Sequence, residues 1–82
     1  MIQPDTFMNI TVANLVTSLS KAFEEDKDEI LRRILQTNAY KQFMDPGFYL
    51  YLELAEHLFP LFKAELSGDE EGVEQFWADH LG

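Results

Sequence analysis

The 82-residue chain carries 6 lysine and arginine residues against 15 aspartate and glutamate residues, which gives a formal net charge of -9. A chain of this length has room for one modest hydrophobic core, so we expect a single domain over residues 1–82 and exclude large multi-domain enzymes. Aromatic residues make up 13% of the sequence, and this content predicts a folded protein rather than a disordered acidic tail.

Cysteine is absent from the sequence, which excludes disulfides, thiolate metal sites and cysteine nucleophiles. The first residues contain neither the basic stretch nor the apolar stretch of a secretory signal. No apolar run approaches the ~20 residues that a membrane span needs. These features predict a cytoplasmic protein that does not bind membranes.

The first predicted helix is indicated by apolar residues that recur every three or four positions. They would form one face of a helix: Val12, Leu15, Val16, Leu19 and Phe23. Thr11, or Asn9 before it, is expected to cap this helix, and the acidic run at 24–26 ends the apolar pattern. Residues 1–10 are therefore predicted to form an irregular N-terminal segment.

A second helix is predicted to begin at Asp26, which lies three residues before Glu29 in the spacing of a reciprocal capping box. Its apolar face would comprise Ile30, Leu31, Ile34 and Leu35, and its outer face Lys27, Arg32 and Arg33. Thr37-Asn38 is expected to end this helix and to cap a short third helix. The inward side chains of the third helix would be Tyr40, Phe43 and Met44.

A fourth helix is predicted over Phe48–Leu66, after the start signal Asp45-Pro46-Gly47. Apolar residues cover more than one face of this segment, which predicts a central helix surrounded by the others. Pro60 removes one hydrogen bond of the helix, so the helix is expected to be kinked or split there. The aromatic content of residues 48–52 also allows a strand, which is the less favoured alternative.

Ser67-Gly68 is expected to end the fourth helix, and Ser67 with Glu70 has the spacing of another capping box. The apolar stripe of the last helix would comprise Val73, Phe76, Trp77 and Leu81. Phe62 and Trp77 are predicted to anchor the core, since each lies on the apolar stripe of its helix. The sequence therefore predicts an all-α fold, a compact single-domain bundle of four to five short helices around a central, apolar, proline-kinked helix.

Charge is distributed unevenly along the chain. Residues 1–43 contain six acids and five bases, whereas residues 44–82 contain nine acids and Lys63 as their single base. The last six acids have no base among them and are candidate partner-binding residues: Glu65, Asp69, Glu70, Glu71, Glu74 and Asp79. Such concentrated negative charge would repel nucleic acid and anionic membranes, and it would attract a basic protein surface.

Two interpretations of these acids are open. They can complement the dipole of the last helix and keep a small domain soluble. Alternatively, they can occupy a partner's surface that is meant for phosphate, such as that of a nucleic-acid-binding enzyme. In size, helical class and charge the chain is similar to small bacterial immunity proteins and some phage-encoded inhibitors, a similarity of composition without an aligned motif. The leading hypothesis is therefore a non-enzymatic inhibitor, antitoxin-like or immunity-like, that masks a basic surface.

Residues that could perform catalysis or hold a metal are sparse. Glu53 and His57 would share a helical face and, with Glu56, could contact one divalent ion. Metal sites in helical bundles usually take ligands from two or more helices, so no metal is expected and a metal-dependent enzyme is the least favoured alternative. The sequence has neither a serine in a nucleophile motif nor a glycine-rich phosphate loop, and we predict no enzymatic activity and no cofactor.

A structural role is the main rival hypothesis. The fourth predicted helix is apolar nearly all round, and so short a chain has little surface of its own to cover it. The chain could then form a helical homodimer or join a larger assembly through exposed aromatic residues. Tyr49 and Tyr51 are the alternative partner-binding residues in that case.

Overall fold

The structure of the protein is a computed structural model that describes residues 4–45, 47 and 53–81, with side chains described from residue 9 to residue 80. Within these ranges the chain forms five α-helices and no strand. In chain order they are α1 (Pro4–Phe23), α2 (Lys27–Leu35), α3 (Asn38–Met44), α4 (Ala55–Ser67) and α5 (Glu70–Leu81). The predicted all-α class and the upper value of the predicted helix number are confirmed. The strand considered for residues 48–52 lies outside the described residues.

Helix α1 begins earlier than the sequence pattern predicted. It starts at Pro4, and the irregular segment expected over residues 1–10 is helical from that residue onward. Proline is favoured at the first position of a helix because the amide that it lacks would have no helical partner there. Thr11 is therefore not a cap, and it lies buried inside the helix. The predicted apolar stripe is confirmed, with Leu15, Val16 and Leu19 buried.

The end of α1 lies at the acidic run, as predicted. Glu24 has a φ of 55°, in the left-handed region, which stops the helix directly after Phe23. The amide of Glu25 then donates to the carbonyl of Ser20 at 3.1 Å, the hydrogen bond that closes a left-handed helix end. The hydroxyl of Ser20 also donates to the carbonyl of Glu25. The chain is thereby turned toward α2.

Helix α2 starts at the predicted place without the predicted cap. Asp26 is its N-cap residue, but the Asp26 side chain makes no capping hydrogen bond. Glu29 pairs with Arg32 instead of reaching back to the N-cap, because the two side chains lie one helical turn apart. Arg33, expected on the outer face, is half-buried.

The apolar faces of α2 and α3 are narrower than predicted. Ile30, Ile34 and Phe43 are fully buried, whereas Leu31, Leu35 and Met44 are exposed. These two helices are short and each packs against few neighbours, so only one line of side chains on each is buried. Thr37 caps α3 as predicted, since its hydroxyl oxygen accepts a hydrogen bond from the Tyr40 amide at 3.0 Å.

Helix α4 is shorter than the predicted fourth helix. It begins at Ala55 and continues without a break through Pro60 to Ser67, so a split at Pro60 is wrong. Of the predicted start Asp45-Pro46-Gly47, Pro46 and the residues 48–52 that follow lie outside the described residues. Glu53 and Leu54 are described and are not helical, which rules out one helix over Phe48–Leu66. Gly68 ends α4 with a φ of 70°, as expected of a glycine that follows a helix.

The core is centred on α4, as predicted. This helix packs against each of the other four, and its residues Leu58, Leu61 and Phe62 are fully buried. The buried apolar cluster comprises Leu15, Val16, Leu19, Ile30, Ile34, Ala39, Phe43, Leu58, Leu61 and Phe62. The radius of gyration is 12.2 Å, close to the ~12 Å expected of a compact domain of this length.

Helix α5 covers one side of α4. Its start is capped by Asp69, whose Oδ1 accepts a hydrogen bond from the Gly72 amide at 3.0 Å, and not by the predicted pair Ser67 and Glu70. Trp77, predicted as a core anchor, is half-buried at the edge of the core together with Val73 and Phe76. The side chain of Leu81 is outside the described residues. No helix in the described part of the chain has both the length and the apolar character of a bilayer span.

Candidate functional site

The structure distributes the six candidate acids over three different surfaces. Glu65 faces α3, Asp69 and Asp79 line a groove between α4 and α5, and three residues occupy the opposite side of α5. Those three are Glu70, Glu71 and Glu74, and all are exposed. The acids therefore do not form the single continuous face that their sequence spacing suggested.

Glu65 is committed to the fold. Its Oε1 accepts a hydrogen bond from the backbone amide of Ala39 at 3.1 Å, and the residue is half-buried. Ala39 lies in the first turn of α3, where backbone amides have no partner within the helix. Glu65 thus supplies a cap from a neighbouring helix, which leaves it less available to a partner than a free surface carboxylate.

Glu70, Glu71 and Glu74 form the outer acidic face of α5. On a helix of 3.6 residues per turn, they fall within an arc of about 100°. Among the described residues, none of the three makes a hydrogen bond or an ion pair. Lys63, the single base of residues 44–82, places its ammonium group 5.9 Å from the ring centroid of Phe59 instead. The charge of this face is therefore not neutralised within the described part of the chain.

A groove of about 700 Å³ lies between α4 and α5, which are joined by the short connection at Gly68 and Asp69. One wall of the groove comprises Glu53, which precedes α4, and mainly Glu56, His57, Pro60 and Lys63 of α4. From the connection and α5, it is lined by Asp69, Gly72, Gln75, Phe76, Asp79 and His80. The groove is open to solvent along its length, so an extended ligand could enter it from the side.

The polar groups of the groove pair mainly with groups close to them in sequence. His57 Nδ1 lies 3.2 Å from Oε2 of Glu53, which precedes α4. The amide nitrogen of Gln75 donates to Asp79 Oδ1 at 2.9 Å. The imidazole of His80 is stacked on the ring of Phe76, with a centroid distance of 5.5 Å and an interplanar angle of 9°. No described hydrogen bond crosses the groove, so its two walls are free to contact a third element.

The candidate metal residues do not converge. Glu53 contacts His57, whereas Glu56 makes no hydrogen bond or ion pair in the described part of the chain. Across residues 4–45, 47 and 53–81, no three histidine, aspartate or glutamate residues are placed so that they could hold one metal ion. The geometry therefore gives the metal-dependent alternative no support.

The groove was missed by the sequence analysis, although a signal for it exists. His57, Pro60, Ala64 and Ser67 recur every three or four residues, which places them on one line along α4. The line runs beside the core-facing line of Leu58, Leu61 and Phe62. Only the interhelical packing shows that a similar line on α5 faces it.

The alternative contact residues Tyr49 and Tyr51 lie outside the described residues. Comparison with models of known protein families, with curated proteins and with solved structures found no match to the chain. The function is therefore inferred from the charges and surfaces of the chain itself.

Proposed function

We propose that the protein is a small, non-enzymatic binding protein that attaches to a basic surface of a partner protein and masks it. The basic surface would be one with which the partner, for example a nucleic-acid-binding enzyme, contacts nucleic acid. The observation that carries the proposal is the outer acidic face of α5, where Glu70, Glu71 and Glu74 are exposed and without a cation among the described residues.

The electrostatic argument has two steps. Glu70 and Glu74 lie one helical turn apart, and like charges at this spacing repel one another in the free protein. A partner with lysine and arginine side chains would relieve that repulsion and would be steered to the site by the field of the acids. Surfaces that bind nucleic acid carry such side chains because they neutralise phosphates. An acidic helix face is therefore suited to compete with nucleic acid for them.

The experiment begins with affinity purification of a basic partner and a test of masking. The purified protein should displace nucleic acid from that partner in a competition assay. Association rates are then compared for the wild type and for Glu70→Lys combined with Glu74→Lys. We expect the variant to associate at least ~10-fold more slowly at low salt and to lose most of this difference at ~0.5 M salt, where exposed charges are screened.

A matched control changes the same charge elsewhere. Glu24→Lys combined with Asp28→Lys alters two exposed acids on the α1–α2 side of the molecule. This pair should slow association less than the α5 pair, because steering depends on where the charge lies. Equal rates for the wild type and the α5 variant at low salt would reject the proposal.

A second candidate function, a structural subunit that self-associates, is favoured by two exposed leucines. Leu31 and Leu35 lie one turn apart on α2 and are 37% and 47% exposed. Apolar association of this kind should persist at high salt, whereas charge-steered binding should weaken. Sedimentation equilibrium of the wild type and of Leu31→Gln combined with Leu35→Gln distinguishes the two functions, since only self-association predicts a dimer that the variant loses.

A further inference from the structure

We propose that the groove between α4 and α5 binds a cationic amphipathic helix of the partner protein. This inference rests on the proposed function, because it names the segment of a basic partner that the domain would hold. It concerns a different surface from the outer acidic face of α5, so the two can be tested separately. Three features of the groove support it: the line of its walls, its charge and its apolar floor.

The groove is formed by two helices that pack against each other and are joined by a short connection. A groove between two helices is a common binding site for an amphipathic helix. Helix α5 has 12 residues and is therefore ~18 Å long. A partner helix of about three turns would match that length.

The charge of the groove is negative. Glu53, Glu56, Asp69 and Asp79 line it against Lys63, a net charge of -3 with both histidines neutral. In the described part of the chain, Asp69 and Asp79 accept hydrogen bonds from the Gly72 amide and the Gln75 side chain, and neither forms an ion pair with a base. Lysine and arginine side chains of a partner helix could reach these rims while their aliphatic parts cover the walls.

The floor of the groove is apolar and close to the backbone. A Cβ atom placed on Gly72 would lie 3.0 Å from the Cβ of Ala64, which shows how closely α4 and α5 approach there. Phe76 is half-buried beside this point, and Pro60 is exposed on the opposite wall. One or two apolar side chains of the partner helix would pack on these residues, so a cation-rich helix without an apolar face would not fit equally well.

The probe is a synthetic peptide of about 14 residues with leucine at every third or fourth position and lysine elsewhere, so that it forms an amphipathic helix. One control peptide has glutamate in place of lysine, and a second has the same composition in scrambled order. Binding is measured by calorimetry and mapped by NMR on the backbone amides. We expect the patterned cationic peptide to bind and to shift the amides of His57, Gly72 and Gln75 more than those of Glu70 and Glu74.

Variants that add a bulky side chain test whether the peptide binds in the groove, and they change no charge. Gln75→Trp places a large side chain in the groove, and Ala78→Trp places the same side chain at an exposed position of α5 that does not line it. We expect Gln75→Trp to weaken peptide binding at least ~10-fold and Ala78→Trp to change it less than ~2-fold. Melting temperatures of both variants close to that of the wild type would show that the fold is intact.

Charge variants complete the test. Glu56→Gln combined with Asp79→Asn removes two charges from the groove, and Glu70→Gln combined with Glu74→Gln removes two from the outer face. The groove pair should weaken peptide binding several-fold more than the outer pair. Equal weakening by both pairs, equal binding of the scrambled peptide, or no binding of the patterned peptide would overturn the groove proposal.

Failure of the groove and failure of the proposed function give different results. If amide shifts map to the outer face while Glu70→Lys with Glu74→Lys slows association with the whole partner, the groove proposal is overturned and the proposed function stands. If that charge reversal has no effect on the partner while Gln75→Trp abolishes peptide binding, the outer face is rejected and the groove is supported.

Discussion

The carboxylate of Glu65 in α4 accepts a hydrogen bond from the backbone amide of Ala39 in α3 at 3.1 Å. The next amide, that of Tyr40, is bound at 3.0 Å by the hydroxyl of Thr37, which precedes the same helix. Helix α3 has only seven residues, so these two amides, which have no partner within the helix, are a large share of its backbone hydrogen-bonding groups. A carboxylate at this end also complements the helix dipole. The short helix is thus held by a local cap and by a cap from the central helix.

Replacement of Glu65 should therefore destabilise the protein. Glu65→Ala should lower the free energy of unfolding by about 1 kcal/mol, the usual effect of losing a helix cap. Glu65→Gln keeps an oxygen acceptor and should lower it by less. Chemical denaturation measures both, and Glu56→Ala is the control because Glu56 is exposed and lacks a hydrogen bond in the described ranges. A loss for Glu65→Ala no greater than for the control would show that the cap contributes nothing.

Arg33 and Arg32 are neighbours with unequal roles. Arg33 Nη1 donates to both carboxylate oxygens of Glu25 at 2.9 Å, and its Nη2 donates to the carbonyl of Leu66 at 2.8 Å. Its guanidinium carbon also lies 5.7 Å from the ring centroid of Phe23. Arg33 thus connects the ends of α1 and α4 through α2. Arg32 pairs only with Glu29 on its own helix among the described contacts, and that hydrogen-bonded pair raises the pKa of Arg32 above its ordinary value.

We expect Arg33→Ala to lower the free energy of unfolding by about 2 kcal/mol, because the charge-assisted hydrogen bonds from α2 to the α1–α2 connection and to α4 are lost. Arg32→Ala is the matched control and should have a smaller effect, since exposed pairs within a helix contribute little. Arg33→Lys keeps the charge but cannot form the same set of hydrogen bonds, and it should fall between the two. Thermal melts of the three variants measure this order of stability. Equal melting temperatures for Arg32→Ala and Arg33→Ala would contradict the prediction.

The fold was predictable where burial leaves a periodic pattern. The stripe of Leu15, Val16 and Leu19 and the central position of α4 followed from helical spacing alone. The first turns of α1 were not predicted because Asn9 and Thr11 were interpreted as caps, although Met8 continues the helical spacing of Val12 and Leu15. The two predicted capping pairs failed for different reasons: Glu29 binds Arg32, and Asp69 caps α5 in place of Ser67.

The candidate site was predictable only as a local excess of charge. Sequence identifies the acids, but their division among surfaces depends on how α5 packs against α4. Glu65 points to α3, Asp79 to the groove and Glu74 to the outer face, although all three were assigned to one region. The role of Arg33 was likewise not predictable, because its partners Glu25 and Leu66 lie 8 and 33 residues away from it in the sequence and outside α2.

The two predicted aromatic anchors should differ in their effects on stability. Phe62 is fully buried, and Phe62→Ala should lower the free energy of unfolding by about 3 to 5 kcal/mol through the cavity that it leaves. Trp77 is half-buried at the edge of the core, so Trp77→Ala should lower it by less, about 1 to 3 kcal/mol. Circular dichroism should show a helical spectrum and a cooperative melt for the wild type. A larger loss for Trp77→Ala than for Phe62→Ala would mean that α5 is more central than its burial indicates.

Pro60 provides a test of what holds α4 continuous. It is the sixth residue of a 13-residue helix, and its nitrogen cannot donate to the carbonyl of Glu56. Leu61 and Phe62, which follow it directly, are fully buried, so tertiary packing compensates for the lost hydrogen bond. Pro60→Ala restores the amide and should raise the free energy of unfolding by about 1 to 3 kcal/mol, reduced in part by the greater freedom of the unfolded chain.

Pro60→Gly serves as the control for this prediction, because it restores the same amide but has a helix propensity about 1 kcal/mol worse than alanine. Denaturant unfolding should therefore place the stability of Pro60→Gly between those of the wild type and Pro60→Ala. A Pro60→Ala variant less stable than the wild type would show that the proline ring, which is exposed on the wall of the groove, makes a stabilising contact that outweighs the missing hydrogen bond. The continuity of α4 would then depend on the ring itself and not only on Leu61 and Phe62 beneath it.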